Sequence, residues 1–337
     1  MPLSDERGKS DFLMTLLGHA EGYATAKVLT ASAKLGFFSP PFPPVSPEGL
    51  ARDRQLPLRG VRLLLNALTA LGIYEKKGNE YRLREGFRRL FGDHPELQDD
   101  LIHHDHLYDV WGRLEEGIRA GASVSPTEEE AARYPESLAV FLRAMRAHAT
   151  YLAPEILSGV PWTGIREVLD IGGGGGGYAL ALARGNPDLR VTVADLPDAV
   201  ELTKDMIAGE PEARRILFHP GNAYTDPLPE GPFDRIFISH LVHIYPADEN
   251  RALVAKAARR LRPGGDLLLL DYFLNDAETG PREAVLFRLL MMIGTPKGDC
   301  YRLSEAKAWL ARAGLTPTAI RALPRGNTLV AAQRAKG

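Results

Sequence analysis

The stretch LDIGGGGGGYALALARG, residues 169–185, sets six consecutive glycines, Gly172 to Gly177, between an apolar run and an alanine-rich segment. A flexible tether would be flanked by polar residues. These glycines instead follow a buried-type strand and open a helix, which is the setting of a loop that lies against a ligand. Glycine tolerates positive φ and, having no Cβ, lets the main chain approach a bound molecule closely. The run satisfies several motifs together, including G-x-G-x-x-G at Gly172, Gly174 and Gly177, so the loop by itself leaves the ligand open.

Working outward, short apolar runs alternate with amphipathic helices. Strands are predicted at 166–171, 190–196, 215–221, 234–241 and 266–273. Helices are predicted from 177 and at 198–208, 249–265, 281–293 and 303–314, and two strands, PTAIRAL and NTLVAAQR, close the chain. Strands alternating with helices imply an α/β fold: a parallel sheet wound on both faces, with an antiparallel pair at its C-terminal edge. Upstream the chain reads as helical. Residues 11–36 carry apolar side chains at three- and four-residue spacing up to the cluster SPPFPP, and a further helix is predicted over 134–157. SPEGLARDRQ has Ser46 as N-cap and Pro47 at the first helical position, PLRGVRLLLNALTALG ends on Gly72, and IYEKKGNEYRL reads as a hairpin. Helix, helix and hairpin suggest a winged-helix module. Its second helix has only Arg59 and Arg62 to offer phosphates and is apolar around much of its circumference, which favours packing or dimerisation over DNA binding.

Composition narrows the classes further. With 337 residues the chain exceeds one typical domain; 45% apolar and 25% charged residues are ordinary for a globular protein, and a net charge of −2 gives no reason to expect nucleic acid as a partner. One cysteine, Cys300, allows no intrachain disulfide and suits a cytoplasmic location. Apolar runs such as DLLLLDYFL are too short to span a bilayer, and the start MPLSDERGKSDF lacks the basic-then-apolar layout of a secretion signal, so no membrane partner is expected.

The neighbours of the glycines discriminate among ligands. Asp170, two residues before the first glycine, makes D-x-G-x-G-x-G, whereas dinucleotide loops have an apolar residue there. Asp195 ends the next strand, where a carboxylate can accept two hydrogen bonds from ribose hydroxyls. With Asp170, an edge hairpin at the C-terminus and only one such half-sheet, an NAD-dependent oxidoreductase is disfavoured. On these features, and on VADLPDAV, ISHLVHIYPADENRALVAKAARRLRPGG and LLLLDYFL, the chain resembles the class I S-adenosylmethionine-dependent methyltransferases. More narrowly it resembles the small-molecule O-methyltransferases, the plant caffeate and acetylserotonin enzymes and bacterial relatives acting on polyketides, phenazines and carotenoids. The glycine loop is specific only to the superfamily; LVHIYPADEN followed by LRPGG is far more specific.

The resemblance covers nearly the whole chain. It implies a winged-helix-like dimerisation domain over residues 1–100, a helical connector lining the substrate cleft over 101–157, and a Rossmann-like, seven-stranded S-adenosyl-L-methionine-binding catalytic domain over 158–337. It implies a homodimer and a small-molecule acceptor. The backbone at Gly172, Gly174 and Gly176, beside Asp170, would cradle the methionine part of the cofactor; Asp195 would bind the ribose, with Leu196 against the adenine. Asn222 and Ala223 fall where the family has an aspartate and an apolar residue beside the adenine, Ser239 where plant members have a lysine, and Tyr245 where a tryptophan is common. Gly173, Gly175 and Gly177 are expected to be looser, so that Gly175→Thr leaves cofactor affinity nearly unchanged.

Methyl transfer from a sulfonium needs an aligned acceptor and removal of its proton. The resemblance places His243, in LVHIYP, at the family's base position and Asp271, in LLLLDYF, at that of its orienting acid; the family's third acid falls on or near Cys300. Substrate candidates, matching the methionine and aromatics that sandwich a flat acceptor in family members, are Phe141, Met145, His148, Phe287, Met291 and Met292, with residues near Met14 of a partner chain also considered. A metal site at His240 and His243 lacks a third ligand, and the cluster of His103, His104 and His106 is read as a helix facing cleft or solvent, so no metal is expected. The leading reading is an O-methyltransferase for an aromatic or polyketide-like hydroxyl. Carbon methylation, a hydroxylase or decarboxylase on the same fold, and a ligand-sensing winged-helix regulator remain as alternatives.

Overall fold

The computed structural model describes residues 6–124 and 137–336. The first five residues of the charged start and the first three of the helix expected at 134–157 lie outside them. The chain divides into two compact units, Met1–His106 and Leu107–Gly337.

The first unit begins with helices α1 (Glu6–Ala20) and α2 (Gly22–Lys34), so the long helical reading of 11–36 is interrupted at Glu21. Helices α3 (Pro47–Asp53) and α4 (Leu58–Ala70) follow, then the antiparallel hairpin β1 (Tyr74–Lys77) and β2 (Glu80–Leu83). Ser46 caps α3 by accepting from the Gly49 N–H at 3.1 Å. Val61, Leu65 and Leu68 on α4 fall on one helical face and pack with Phe37, Phe38 and Tyr81 into a core of their own. Helices α5 (Glu85–Asp93) and α6 (Leu97–Trp111) continue the chain, the second running across the division between the units.

The second unit continues with α7 (Leu114–Ala120) and the 23-residue α8 (Ser137–Gly159). Then comes the alternating pattern: β3 (Glu167–Ile171), α9 (Gly177–Gly185), β4 (Arg190–Asp195), α10 (Pro197–Ile207), β5 (Ile216–Pro220), β6 (Phe233–Ser239), α11 (Ala247–Ala258) and β7 (Leu261–Asp271). Helices α12 (Arg282–Gly294) and α13 (Leu303–Arg312) precede β8 (Leu315–Ala322) and β9 (Thr328–Arg334). The seven strands form one sheet in the order β5-β4-β3-β6-β7-β9-β8; β9 runs antiparallel to both its neighbours and the other pairs are parallel. Every residue of β6 is buried, as expected of a central strand covered on both faces.

One expectation fails. The helix predicted over 249–265 stops at Ala258, and Leu261 to Gly265 belong to β7. Pro263 has no N–H to continue a helix and Gly264 sits at φ +76°, so the segment leaves the helical path. It passes as an irregularity of the β6–β7 ladder, where Phe233 pairs with Leu261 and Arg235 with Asp266.

Chain order reverses direction at β3: β4 and β5 lie on one side, β6 and β7 on the other. In an open sheet the crevice beyond the carboxyl ends of strands at such a point receives ligands. The glycine run begins there, directly after Ile171.

Candidate active site

The six glycines divide into two alternating sets. Gly172, Gly174 and Gly176 adopt φ of +72°, +51° and +72°, a region that L side chains enter at a cost. The intervening three have ordinary φ but no room. A Cβ on Gly173 would stand 2.9 Å from Asp170 Oδ2, one on Gly175 2.2 Å from the Leu142 carbonyl oxygen, and one on Gly177 2.8 Å from that of Arg146. The expectation that this second set is loose is therefore wrong, because the side chains of Asp170 and Val193 crowd Gly173 and the main chain of α8 lies directly against Gly175 and Gly177. Sequence periodicity does not reveal which neighbour a glycine faces. Thr203, on α10, fixes the loop from the other side by donating to the Gly174 carbonyl at 2.6 Å.

Asp195, at the end of β4, accepts from the N–H of Gly174 through Oδ2 (2.8 Å) and from that of Leu196 through Oδ1 (2.7 Å). One lone pair on each oxygen remains for a ligand. Burial raises its pKa, while those two N–H donors oppose the rise. Asp170 is fully buried and neither carboxylate oxygen has a hydrogen-bond partner among the described residues. Desolvation, with the nearby Asp195 charge adding to it, pushes its pKa up to about 7. Two carboxylates beside a glycine loop, one of them orphaned, suit a ligand with positive charge and hydroxyl donors.

A cavity of about 290 Å³ opens over this loop. Gly172 and Gly174 line it, as do Asp195, Leu196, Asn222, Ala223, Ser239 and Tyr245; Gly176 and Asp170 lie behind that wall. Asn222 Oδ1 already accepts from the Tyr224 N–H at 2.9 Å, and one face of Tyr245 is covered by Tyr224, whose ring stacks on it at 3.6 Å. Of the substrate candidates, Phe141, Met145 and His148 on α8 line the cavity. Phe287, Met291 and Met292 on α12 are not on its wall: Met291 packs with Leu274 and Cys300, and Phe287 turns toward Tyr272 and His243.

His243 sits in a single 3-10 turn, Val242–Ile244, just past the carboxyl end of β6. Its Nδ1 lies 2.8 Å from Asp271 Oδ1 at the end of the adjacent β7. Burial would raise the Asp271 pKa, yet the adjoining His243 ring and the Tyr272 N–H hold it below its ordinary value, so the carboxylate is ionised. An ionised acceptor makes Nδ1 the protonated nitrogen and leaves Nε2 with a free lone pair. The side chain is 11% exposed and its ring meets Phe287 edge-on at 4.8 Å; its neighbours Leu241, Ile244 and Tyr245 line the cavity.

Sequence reasoning missed the residue that holds this turn. Asn250, fully buried on α11, donates from Nδ2 to the carbonyls of Val242 (2.7 Å) and Tyr245 (2.8 Å) and accepts from the Tyr224 hydroxyl at 2.7 Å. Tyr301 also donates to the Tyr245 carbonyl, and the Asp299 N–H to that of His243. A polar residue on the buried face of a helix, in PADENRALV, was the available signal. At the position of the family's third acid, Cys300 is buried with its thiol pKa pushed far up by desolvation, and the Asp299 carboxylate beside it is held by Arg288 at 2.6 Å.

The pattern of the O-methyltransferase domain matches residues 119–316. The chain belongs to the O-methyltransferase family. It is 29% identical over 283 residues to the tetracenomycin polyketide synthesis 8-O-methyltransferase TcmO of Streptomyces glaucescens, covering 80% of this chain and 81% of that protein. It is 29% identical over 342 residues to the 3-hydroxy-5-methyl-1-naphthoate 3-O-methyltransferase of Streptomyces sahachiroi, covering 94% of both. Human N-acetylserotonin methyltransferase, solved in complex with S-adenosylmethionine, superposes with a TM-score of 0.83 over the full length of both chains at 23% identity, which shows a shared fold. This O-methyltransferase is S-adenosylmethionine-dependent, and the orphaned Asp170 carboxylate and the crowded glycine cradle fit that cofactor.

Two outcomes follow for the loop. Gly175→Thr forces α8 away and lowers the affinity for S-adenosylhomocysteine, read by calorimetry, about tenfold or more, since overpacking costs about 1–3 kcal/mol. The folded-state pKa of Asp170, about 7, lies above its ordinary 3.8, so folding favours the protonated acid. The ligand-free protein therefore loses stability from this group as pH rises from about 4 to about 7. Asp170→Asn removes that loss, and its melting temperature relative to wild type climbs as pH rises across this range.

Proposed function

We propose that this O-methyltransferase methylates a hydroxyl of a flat aromatic or polyketide-like small molecule, with His243 as general base oriented by Asp271. The observation that carries the reading is the imidazole held by an ionised carboxylate, just past the strand end beside the glycine-loop cavity. The polyketide and naphthoate enzymes among its relatives support the acceptor class.

In this reading the backbone at Gly172, Gly174 and Gly176 cradles the methionine end of the cofactor, near Asp170. Asp195 accepts from the ribose hydroxyls, and Leu196, Asn222, Ala223, Ser239 and Tyr245 surround the base. When bound, the cofactor supplies a sulfonium methyl that an oxygen nucleophile can displace in line. This chain's residues then do two things. The cavity side chains of α8, Phe141, Met145 and His148, hold the ring, and His243 Nε2 takes the hydroxyl proton while Asp271 stabilises the resulting imidazolium. A phenol with a pKa of about 10 is a weak nucleophile near neutrality, and a positioned base contributes about 10² to 10⁴-fold.

The first unit is read as a winged-helix-like dimerisation module whose occupant is a second copy of this chain, and the cytoplasm as its location. Helix α1 exposes Phe12, Met14 and Leu16 at 73%, 64% and 66%, beside Leu13 and Leu17, an apolar strip that a lone chain leaves in water. Among the described residues no helix is long and apolar enough to cross a membrane.

His243→Ala is expected to bind S-adenosylhomocysteine as wild type does and to lose about 10² to 10⁴-fold in turnover on a phenolic acceptor; unchanged turnover removes His243 from its role. For the assembly, Phe12→Asp with Leu16→Asp converts a dimer to a monomer by light scattering, and a wild type that is monomeric at micromolar concentration overturns the dimer.

A further inference from the structure

His240 directly follows the last residue of β6 and adopts φ +48°, a conformation that non-glycine residues seldom hold and that clusters at functional sites. Its main-chain N–H donates to the Leu270 carbonyl at 2.8 Å, which fixes the backbone. Its Nε2 lies 2.6 Å from Asn327 Oδ1. The orientation of that amide is settled by its other end: Asn327 Nδ2 donates to the Pro324 carbonyl at 2.8 Å, and a carbonyl can only accept. Asn327 therefore presents an acceptor to His240, and Nε2 must be the protonated nitrogen. Asn327 is 1% exposed, so this end of the pair is buried, while His240 is half-buried.

These bonds define what the ring offers. With Nε2 committed, Nδ1 carries a bare lone pair, and it has no hydrogen-bond partner among the described residues. Desolvation lowers the pKa of His240 to about 4, so the ring stays neutral and the lone pair persists across the physiological range. His240 lines the same cavity as the glycine loop. Its ring lies 6.2 Å from that of His148 and 5.7 Å from that of Tyr272. Tyr272 packs on Phe287 at 4.4 Å, and Phe287 on His243 at 4.8 Å, so two imidazoles bracket one aromatic pair. Each has one nitrogen tied to the protein and one lone pair free.

We propose that His240 is a specificity-determining residue of the acceptor site, whose Nδ1 accepts a hydrogen bond from a second hydroxyl or N–H on a flat acceptor while the first hydroxyl meets His243. The acceptor class is then an aromatic carrying at least two hydrogen-bond donors. This rests on the methyl-transfer reading above. No proton moves at His240; it selects and aligns. An acceptor lacking the second donor leaves a desolvated lone pair unpaired, which a site built for that bond rejects by at least about tenfold.

The test uses 1-naphthol and a set of dihydroxynaphthalene isomers with the purified full-length protein and labelled S-adenosylmethionine. In wild type, kcat/KM for at least one dihydroxy isomer exceeds that for 1-naphthol by about tenfold or more. In His240→Phe that ratio falls to about the statistical factor of two for two equivalent hydroxyls. The wild-type ratio stands by itself should the variant fail to fold. Methylation of 1-naphthol with no preference for any isomer, or a ratio unchanged in His240→Phe, overturns the inference and leaves methyl transfer intact. S-adenosylhomocysteine binding with no methylation of any of these phenols overturns both.

Discussion

The closest constraint in the second unit is the contact between two stretches of main chain, the glycine loop and the inner face of α8. An added Cβ at Gly175 or Gly177 would meet carbonyl oxygens of Leu142 and Arg146, and at Gly177 also the Ala149 Cβ, so the loop lies close on the helix backbone. That approach sets the floor and one wall of the cavity together. Arg146 then ties α8 onward to the Met206 carbonyl of α10 and to Glu210 just beyond that helix, at 3.1 and 2.5 Å. The loop is thus held on both sides by helices.

Charge follows from the same placement. A strand buried on both faces ordinarily excludes carboxylates, yet β3 carries Asp170 in the middle of Val168, Leu169 and Ile171. Asp195 lies near enough for its charge to be felt there. Such a pair is unfavourable in isolation and becomes favourable beside a cation. On the other side of β3, Asp271 is equally buried, but it has His243 as its partner. The carboxyl edge of the sheet therefore carries one carboxylate paired through Oδ1 with His243, its Oδ2 without a hydrogen-bond partner among the described residues, and one, Asp170, with no such partner on either oxygen.

Much of this was legible in the sequence because it depends on local order. The alternation of strands and helices, the antiparallel closing pair and the acid before the glycines are each set by position along a strand or just past its end; the pairing of His243 with Asp271 is implied by the family resemblance. Features that failed to show depend on what faces what. Crowding at Gly173, Gly175 and Gly177 comes from side chains and a helix outside the loop, and LRPGG reads as a helix end although a neighbouring strand recruits it. Asn250 and Asn327 each bond nearby carbonyls, but their other partners, the Tyr224 hydroxyl and the His240 ring, are brought to them from distant parts of the chain. Placing substrate candidates by family position put half of them on α12, away from the cavity wall.

Helix α8 carries one more implication. It meets the glycine loop through peptide carbonyls, which every amino acid possesses, and meets the cavity through the side chains of Leu138, Phe141, Met145 and His148 at three- and four-residue spacing. Small side-chain atoms, the Cβ of Ala149 and of Arg146, add to the contact with the loop. One helix thus joins the two halves of the proposed chemistry: the shape of the glycine loop and the lining of the cavity above it are set by the same rigid element, so a shift of α8 along its axis would alter both together.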